Sequence, residues 1–172
     1  MNDDENTLLE LLRARLRDPL RFIDVPEAFP HKIYAPVSPD ELSAAERQLG
    51  FQLPPLLCKL YLYVGNGGFG PGFGLLGLNS KGARNYHMNL VDWYLERVNT
   101  THPDYPPWPR QLITICDWGD GITSELDWTK PDYSVYRFNG DLYEEGPFED
   151  VMRLEAVSLR GWLEDWIGTT LG

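Results

Sequence analysis

The sequence predicts a single α+β domain, and three observations carry that prediction. Helical signals fill the first part of the chain, strand-like segments run in succession from 111 to 138, and one amphipathic helix closes the sequence. Helices, then consecutive strands, then a helix is the order of an α+β fold. A doubly wound parallel sheet needs strands and helices in alternation. At 172 residues the chain suits one domain and is long enough to bury a sizeable core.

Thr7 and Glu10 form a T-x-x-E capping box that predicts the start of an amphipathic helix. Leu9, Leu12 and Leu16 share one of its faces, and Pro19 ends it. A proline-spotted connector follows, with one candidate short strand around 33–37. Ser38-Pro39-Asp40-Glu41 reads as a second capping box, with proline at the first helical position, where its missing N–H costs nothing. That helix runs to Leu49 and stops at Gly50. Pro54-Pro55 launches a third helix, LLCKLYLYVGN, which is apolar nearly all round and is therefore predicted to be central and buried. A glycine stretch comes next and ends in a predicted short strand at 74–78. Residues 82–98 read as a helix, with Met88, Val91 and Leu95 on one face and Asn89, Glu96 and Arg97 turned away from it.

Beyond the proline-rich turn at 103–109, QLITIC, GITSELDW and YSVYRF read as three strands. Asn139-Gly140 is a turn signal, and an edge strand is expected near 151–154. Ser158 is the predicted N-cap of the last helix. Leu159, Trp162, Leu163, Trp166 and Ile167 then fall on one stripe.

The N-terminus, MNDDENT, is acidic where a secretory signal is basic, and no stretch has the apolar length of a membrane span. The expectation is a cytoplasmic protein that does not engage membranes. Cys58 and Cys116 lack metal or redox spacing and sit in apolar segments, which predicts two reduced thiols. The net charge of −11 is unevenly placed. Residues 1–116 carry 13 acids against 11 bases, and residues 117–172 carry 13 acids against 4 bases. A field of that sign repels nucleic acid and anionic lipid and attracts a basic partner. It also serves solubility, and sequence alone leaves the two roles open.

The segment YLYVGNGGFGPGFGLLGL, at 61–78, holds two G-x-G-x-x-G spacings: Gly65, Gly67, Gly70 and Gly72, Gly74, Gly77. A phosphate loop of this type needs a strand before the glycines and a helix after them, so that the anion meets free N–H groups at the positive end of the dipole. Here the helix comes first, and the glycines face its negative, carbonyl end. The Gly-Lys-Ser/Thr ending of a P-loop is missing as well. The glycines are therefore read as a turn, with Gly65 or Asn66 taking the left-handed cap and the later ones allowing a tight path into the sheet. No nucleotide or other cofactor is expected.

Asp117, Asp120 and Asp127 cluster in ICDWGDGITSELDW, but their spacing does not fit a calcium loop. A solvated turn between two strands accounts for them more simply than acid–base chemistry. His31, His87 and His102 are scattered, which gives a metal site no support, and Ser80 and Ser124 lack a nucleophile elbow. Trp162 and Trp166 belong to the core by spacing. Trp118 and Trp128 are left open between core and binding hot spots.

Four stretches in order resemble the SUKH superfamily, which includes the fungal Smi/Knr cell-wall regulators and many bacterial immunity proteins. They are SPDELSAAERQLGFQLPPLLCKLYLYVGNGGFGPGFGLLGL, WPRQLITICDWGDGITSELDW, VYRF and SLRGWLEDWI, which together span most of residues 38–168. The resemblance implies an α+β domain with a mostly antiparallel sheet flanked by helices, and leaves 1–30 as an N-terminal helical extension. Gly65, Gly67, Gly68, Gly119 and Gly121, with Trp118, match pattern positions of the family. Asp120 and Glu125 depart from it, standing where relatives often carry small or cysteine residues. The implied function is that of a non-catalytic immunity protein which binds and neutralises a cognate toxin domain. A basic nuclease-type domain is one that an acidic surface would steer toward itself. The expected partner face is Asp117, Trp118, Asp120, Glu125, Asp127, Asp141, Glu144 and Glu145. A regulatory scaffold of the Smi/Knr kind is the alternative, and a metal-dependent hydrolase built on Asp117–Asp127 is a third reading.

Overall fold

The computed structural model describes residues 3–17, 32, 34–101, 106–142 and 150–168. Helices α1 (Asp3–Leu16), α2 (Pro39–Leu49), α3 (Pro55–Tyr63) and α4 (Leu90–Asn99) precede the strands β1 (Leu112–Gly119), β2 (Ile122–Asp127) and β3 (Val135–Asn139). A 3-10 turn at Gly140–Leu142, strand β4 (Met152–Ala156) and helix α5 (Leu159–Gly168) follow. The strands form a meander in the order β1-β2-β3-β4, with every neighbouring pair antiparallel. The fold is the predicted α+β class.

Local chemistry explains most helix ends. Ser38 Oγ accepts from Glu41 N at 3.2 Å and Glu41 Oε2 accepts from Ser38 N at 2.8 Å, the reciprocal capping box read from sequence. Gly50 ends α2 at φ 82°, where a side chain would strain the backbone. In α3, Leu56, Leu57, Leu60 and Tyr61 are buried, and the Tyr61 hydroxyl donates to the Leu76 carbonyl at 2.8 Å. Ser158 Oγ accepts from Gly161 N at 3.0 Å, and the predicted stripe of α5 is buried throughout.

Helix α1 buries Leu8, Leu9, Leu12 and Leu16 and is fastened by cations. Arg13 donates through Nε and Nη2 to the Tyr63 carbonyl at 3.0 and 2.8 Å, which satisfies the C-terminal end of α3. The Arg15 guanidinium lies 3.7 Å from the Trp166 ring centroid and donates to the Trp166 carbonyl. Lys59 of α3 pairs with Glu5.

Four predicted elements differ. Helix α1 begins upstream of Thr7, at Asp3, so the T-x-x-E box lies inside the helix. The described part of the 33–37 candidate is not a strand, although Val37 N donates to the Tyr61 carbonyl at 2.9 Å. The 74–78 strand reduces to one isolated bridge between Leu75 and Cys116, because the glycines turn the chain away again. The helix read over 82–98 starts only at Leu90. Asn89 caps it, with Oδ1 accepting from Val91 N at 2.9 Å and Asp92 N at 3.1 Å. Ahead of that cap, residues 85–88 fold into a two-residue hairpin.

Candidate functional site

Thr114, Thr123 and Glu125 share one face of the β1–β2 hairpin, since Thr114 pairs with Glu125 across the strands and Thr123 lies two residues away. Alternation of this kind predicts a solvated face, but α4 packs over it. Glu125 is 0 % exposed. Its carboxylate accepts from Arg97 Nη1 at 2.7 Å, from Thr123 Oγ1 at 2.6 Å, and from Thr114 Oγ1 at 2.9 and 3.1 Å to its two oxygens. The Arg97 side chain is 16 % exposed and its guanidinium lies 4.0 Å from the Trp108 ring centroid, with Phe138 at 5.4 Å and Trp93 at 5.6 Å. This is an ion pair in an aromatic box. It corrects two expectations: Glu125 is no part of an exposed partner face, and Arg97 does not turn to solvent. One signal for the second was present, since Arg97 follows the buried Trp93 by four residues and so shares its helix face.

The aspartates do not gather. Asp117 and Asp127 sit at opposite ends of the hairpin, opposite Thr123 and Leu112 respectively, and both are buried. Asp127 Oδ1 accepts from Thr129 N at 3.0 Å and Thr129 Oγ1 at 2.6 Å, which fixes the turn into β3. Asp117 accepts from Gly119 N at 2.7 Å and from Asn85 Nδ2. Neither is on the surface where a partner face was expected, since Asp117 is 3 % and Asp127 5 % exposed. Asp120 is exposed at the tip, with φ 49° between Gly119 at 85° and Gly121 at 70°. The side chain of Asp141, and Glu144 and Glu145 altogether, lie outside the described residues. Among the described residues, no three His, Cys, Asp or Glu side chains are grouped to hold a metal ion.

Burial pushes the Asp117 carboxyl above its ordinary value of 3.8, with Glu125 adding to the rise, while the Gly119 N–H and Arg97 oppose it. An acid with a raised folded pKa contributes stability that is complete below its unfolded pKa and is lost as pH rises through the folded one. Wild-type stability relative to Asp117→Asn is therefore expected to fall as pH rises from the acidic range, where the carboxyl is protonated in both states, toward neutrality. Urea titrations of both proteins across that range check it. A flat or rising difference contradicts the sign.

The opposite face carries a second network. Trp118 Nε1 donates to Ser124 Oγ at 2.8 Å, and Ser124 Oγ donates to Glu155 Oε2 at 2.7 Å. Glu155 Oε1 accepts from Arg137 Nη2 at 2.6 Å and from Trp162 Nε1 of α5 at 3.0 Å. Arg137 closes the ring by lying 3.8 Å from the Trp118 ring centroid. Trp128 stacks on Phe51, with centroids 4.2 Å apart and 5° between planes, and donates to the Arg110 carbonyl at 3.0 Å. Both tryptophans left open by the sequence are thus engaged in the fold, Trp128 through packing and Trp118 through this ring.

In the glycine stretch, several N–H groups are engaged within the fold. Gly65 N donates to Leu60 O at 3.0 Å, Gly68 N to Leu75 O at 2.8 Å, Gly74 N to Pro71 O at 2.8 Å and Gly77 N to Ala83 O at 2.7 Å. Phe73 N and Leu76 N donate to the Asp117 and Ile115 carbonyls, both at 2.9 Å, so the loop lines the outer edge of β1. Neither Gly65 nor Asn66 takes the left-handed cap. Helix α3 closes at Val64, and the first positive φ values are 79° at Gly67 and 82° at Gly68. Cys58 and Cys116 are not joined in a disulfide, and burial with the nearby Glu46 carboxylate pushes Cys58 up to about 11.

An antiparallel four-stranded meander with five helices, its interior charges engaged in holding turns and strands together, defines a single α+β domain. The model of the SMI1 / KNR4 family (SUKH-1) matches residues 36–165. The chain belongs to that family, which is associated with protein–protein interaction. Helix α1 lies outside the matched region. No curated protein matches the chain. No helix among the described residues is long and apolar enough to cross a membrane.

Proposed function

We propose that this protein is an immunity protein: it binds a cognate toxin domain and blocks it without catalysis. Family membership over 36–165 is the observation that carries the reading. Charge supports it. Residues 117–172 hold 13 acids against 4 bases, and Asp120, Asp132, Asp150, Glu164 and Asp165 among them are exposed. The buried acids of the same region have internal partners, so it is the exposed ones that set the outward field. A toxin domain with a basic substrate groove is the partner such a field would draw in.

The test is co-expression with the protein encoded beside this chain. The expected results are co-purification, relief of that protein's toxicity, and association that slows as salt is added. A neighbouring toxin that neither binds nor is neutralised overturns the reading. Crosslinking to many partners with no toxin among them would instead favour a regulatory scaffold.

A further inference from the structure

Strand β4 lies at one edge of the sheet with β3 as its neighbour, while the other edge, at β1, is lined by the glycine loop. Asn139 N donates to the Val151 carbonyl at 3.0 Å, which sets the alternation of the β3–β4 ladder. Arg137 and Arg153 are then the next hydrogen-bonded pair, and Met152 and Leu154 stand opposite Phe138 and Tyr136 at the positions between. The backbone N–H and C=O of Met152 and Leu154 therefore point away from β3. Among the described residues no other strand meets them. Such an edge is a template for one more strand.

The side chains of β4 narrow the choice of that strand. Leu154 is 55 % exposed. Arg153 is exposed and has no carboxylate in ion-pair contact among the described residues. Its cross-strand neighbour is Arg137, a like charge whose own acid, Glu155, lies at 2.6 Å. Arg153, Leu154 and Glu155 line an open groove of about 330 Å³ together with Arg137 and Leu142, so this edge can be approached. Charges on an edge strand discourage pairing with most other strands. The segment MRLEA is an exception for itself. Laid antiparallel on its own copy about Leu154, it sets Arg153 opposite Glu155 twice, and opposite charges across a ladder attract. The same register makes Leu154 and its copy a hydrogen-bonded pair, which is the parity that its outward backbone groups require.

We infer that β4 pairs antiparallel with β4 of a second copy of this chain, about a two-fold axis at Leu154, so that the two sheets become one. Charge complementarity, the exposed leucine and the ladder parity all meet at that residue. The contact is isologous: each copy gives the same strand and receives it. It stands apart from the proposed function, which needs neither the dimer nor this edge.

Sedimentation equilibrium of the full chain, from about 1 μM to about 1 mM, tests the pairing. One short strand makes a small interface of the weak class, so the mass should rise from monomer toward dimer across that range. Arg153→Glu places like charges opposite each other twice and should weaken association by about tenfold or more. Leu154→Cys reads the register directly. A hydrogen-bonded antiparallel pair holds its Cα atoms about 5.5 Å apart, within disulfide reach, so this variant should form a covalent dimer under mild oxidation. Val157→Cys is the control. Val157 is 70 % exposed, more than Leu154, yet the register sets it roughly 20 Å from its copy, and it should stay uncrosslinked. A wild-type mass that stays monomeric throughout overturns the inference. So does Arg153→Glu associating as tightly as wild type, or equal crosslinking at the two positions.

Discussion

Replacing Glu125 with alanine is expected to destabilise the protein by about 3–5 kcal/mol, the cost typical of leaving one member of a buried ion pair alone. In a domain of this size that corresponds to a fall in Tm on the order of 10 °C. Arg97 would keep its charge in the box of Trp93, Trp108 and Phe138 with no carboxylate to meet it. The Thr114 and Thr123 hydroxyls would lose their acceptor at the same time. Replacing Arg97 with methionine strands the carboxylate instead, and the double variant should cost clearly less than the two single changes added together. Urea unfolding of the four proteins measures the cycle. Additive losses would mean that the two groups do not act as a pair.

Gly67→Ala should be of comparable severity for a different reason. A Cβ at Gly67 would lie 2.5 Å from the Leu75 carbonyl oxygen and 2.6 Å from Gly77 N, both backbone atoms, at a φ of 79°. The left-handed conformation alone costs about 1–2 kcal/mol. The collision can be relieved only by moving the loop off the β1 edge, which brings the expected loss to about 4 kcal/mol or more. Gly50→Ala provides the contrast, since φ there is 82° but nothing lies within 4 Å of the added carbon. It should cost only the conformational part, about 1–2 kcal/mol. Equal losses at the two sites would show that the close approach at Gly67 contributes nothing.

These two positions illustrate what could be read in advance. The glycine stretch was legible as a structural turn from chain order alone, because a helix ahead of the glycines presents carbonyls to them. The left-handed residues were less legible. The sequence pointed to Gly65 or Asn66, whereas Gly67 and Gly68 take that role, since Gly65 N still donates to Leu60 and prolongs the end of α3. Glu125 was misread as part of an outward face. Its segment, ITSELD, alternates as a half-exposed strand does, and alternation reports only that two faces differ. Whether the polar face meets water depends on what packs over it.

The sequence by itself determined the α+β class, the caps of α2 and α5, the order of the strands and the family, because each depends on residues close together in the chain. Capping boxes, turn residues and hydrophobic periods act over a few positions, and the family pattern is their ordered sum. Tertiary structure decided which acids are surface and which are interior. Glu125 lies 28 residues from Arg97, and Asp117 lies 32 from Asn85. Burial of a carboxylate is set by such distant partners, which supply the donors that replace water. The acidic third of the chain therefore divides into charges that hold the sheet together and charges that face outward, and for Glu125 and Asp117 the contacts with α4 and the 85–88 hairpin make the difference.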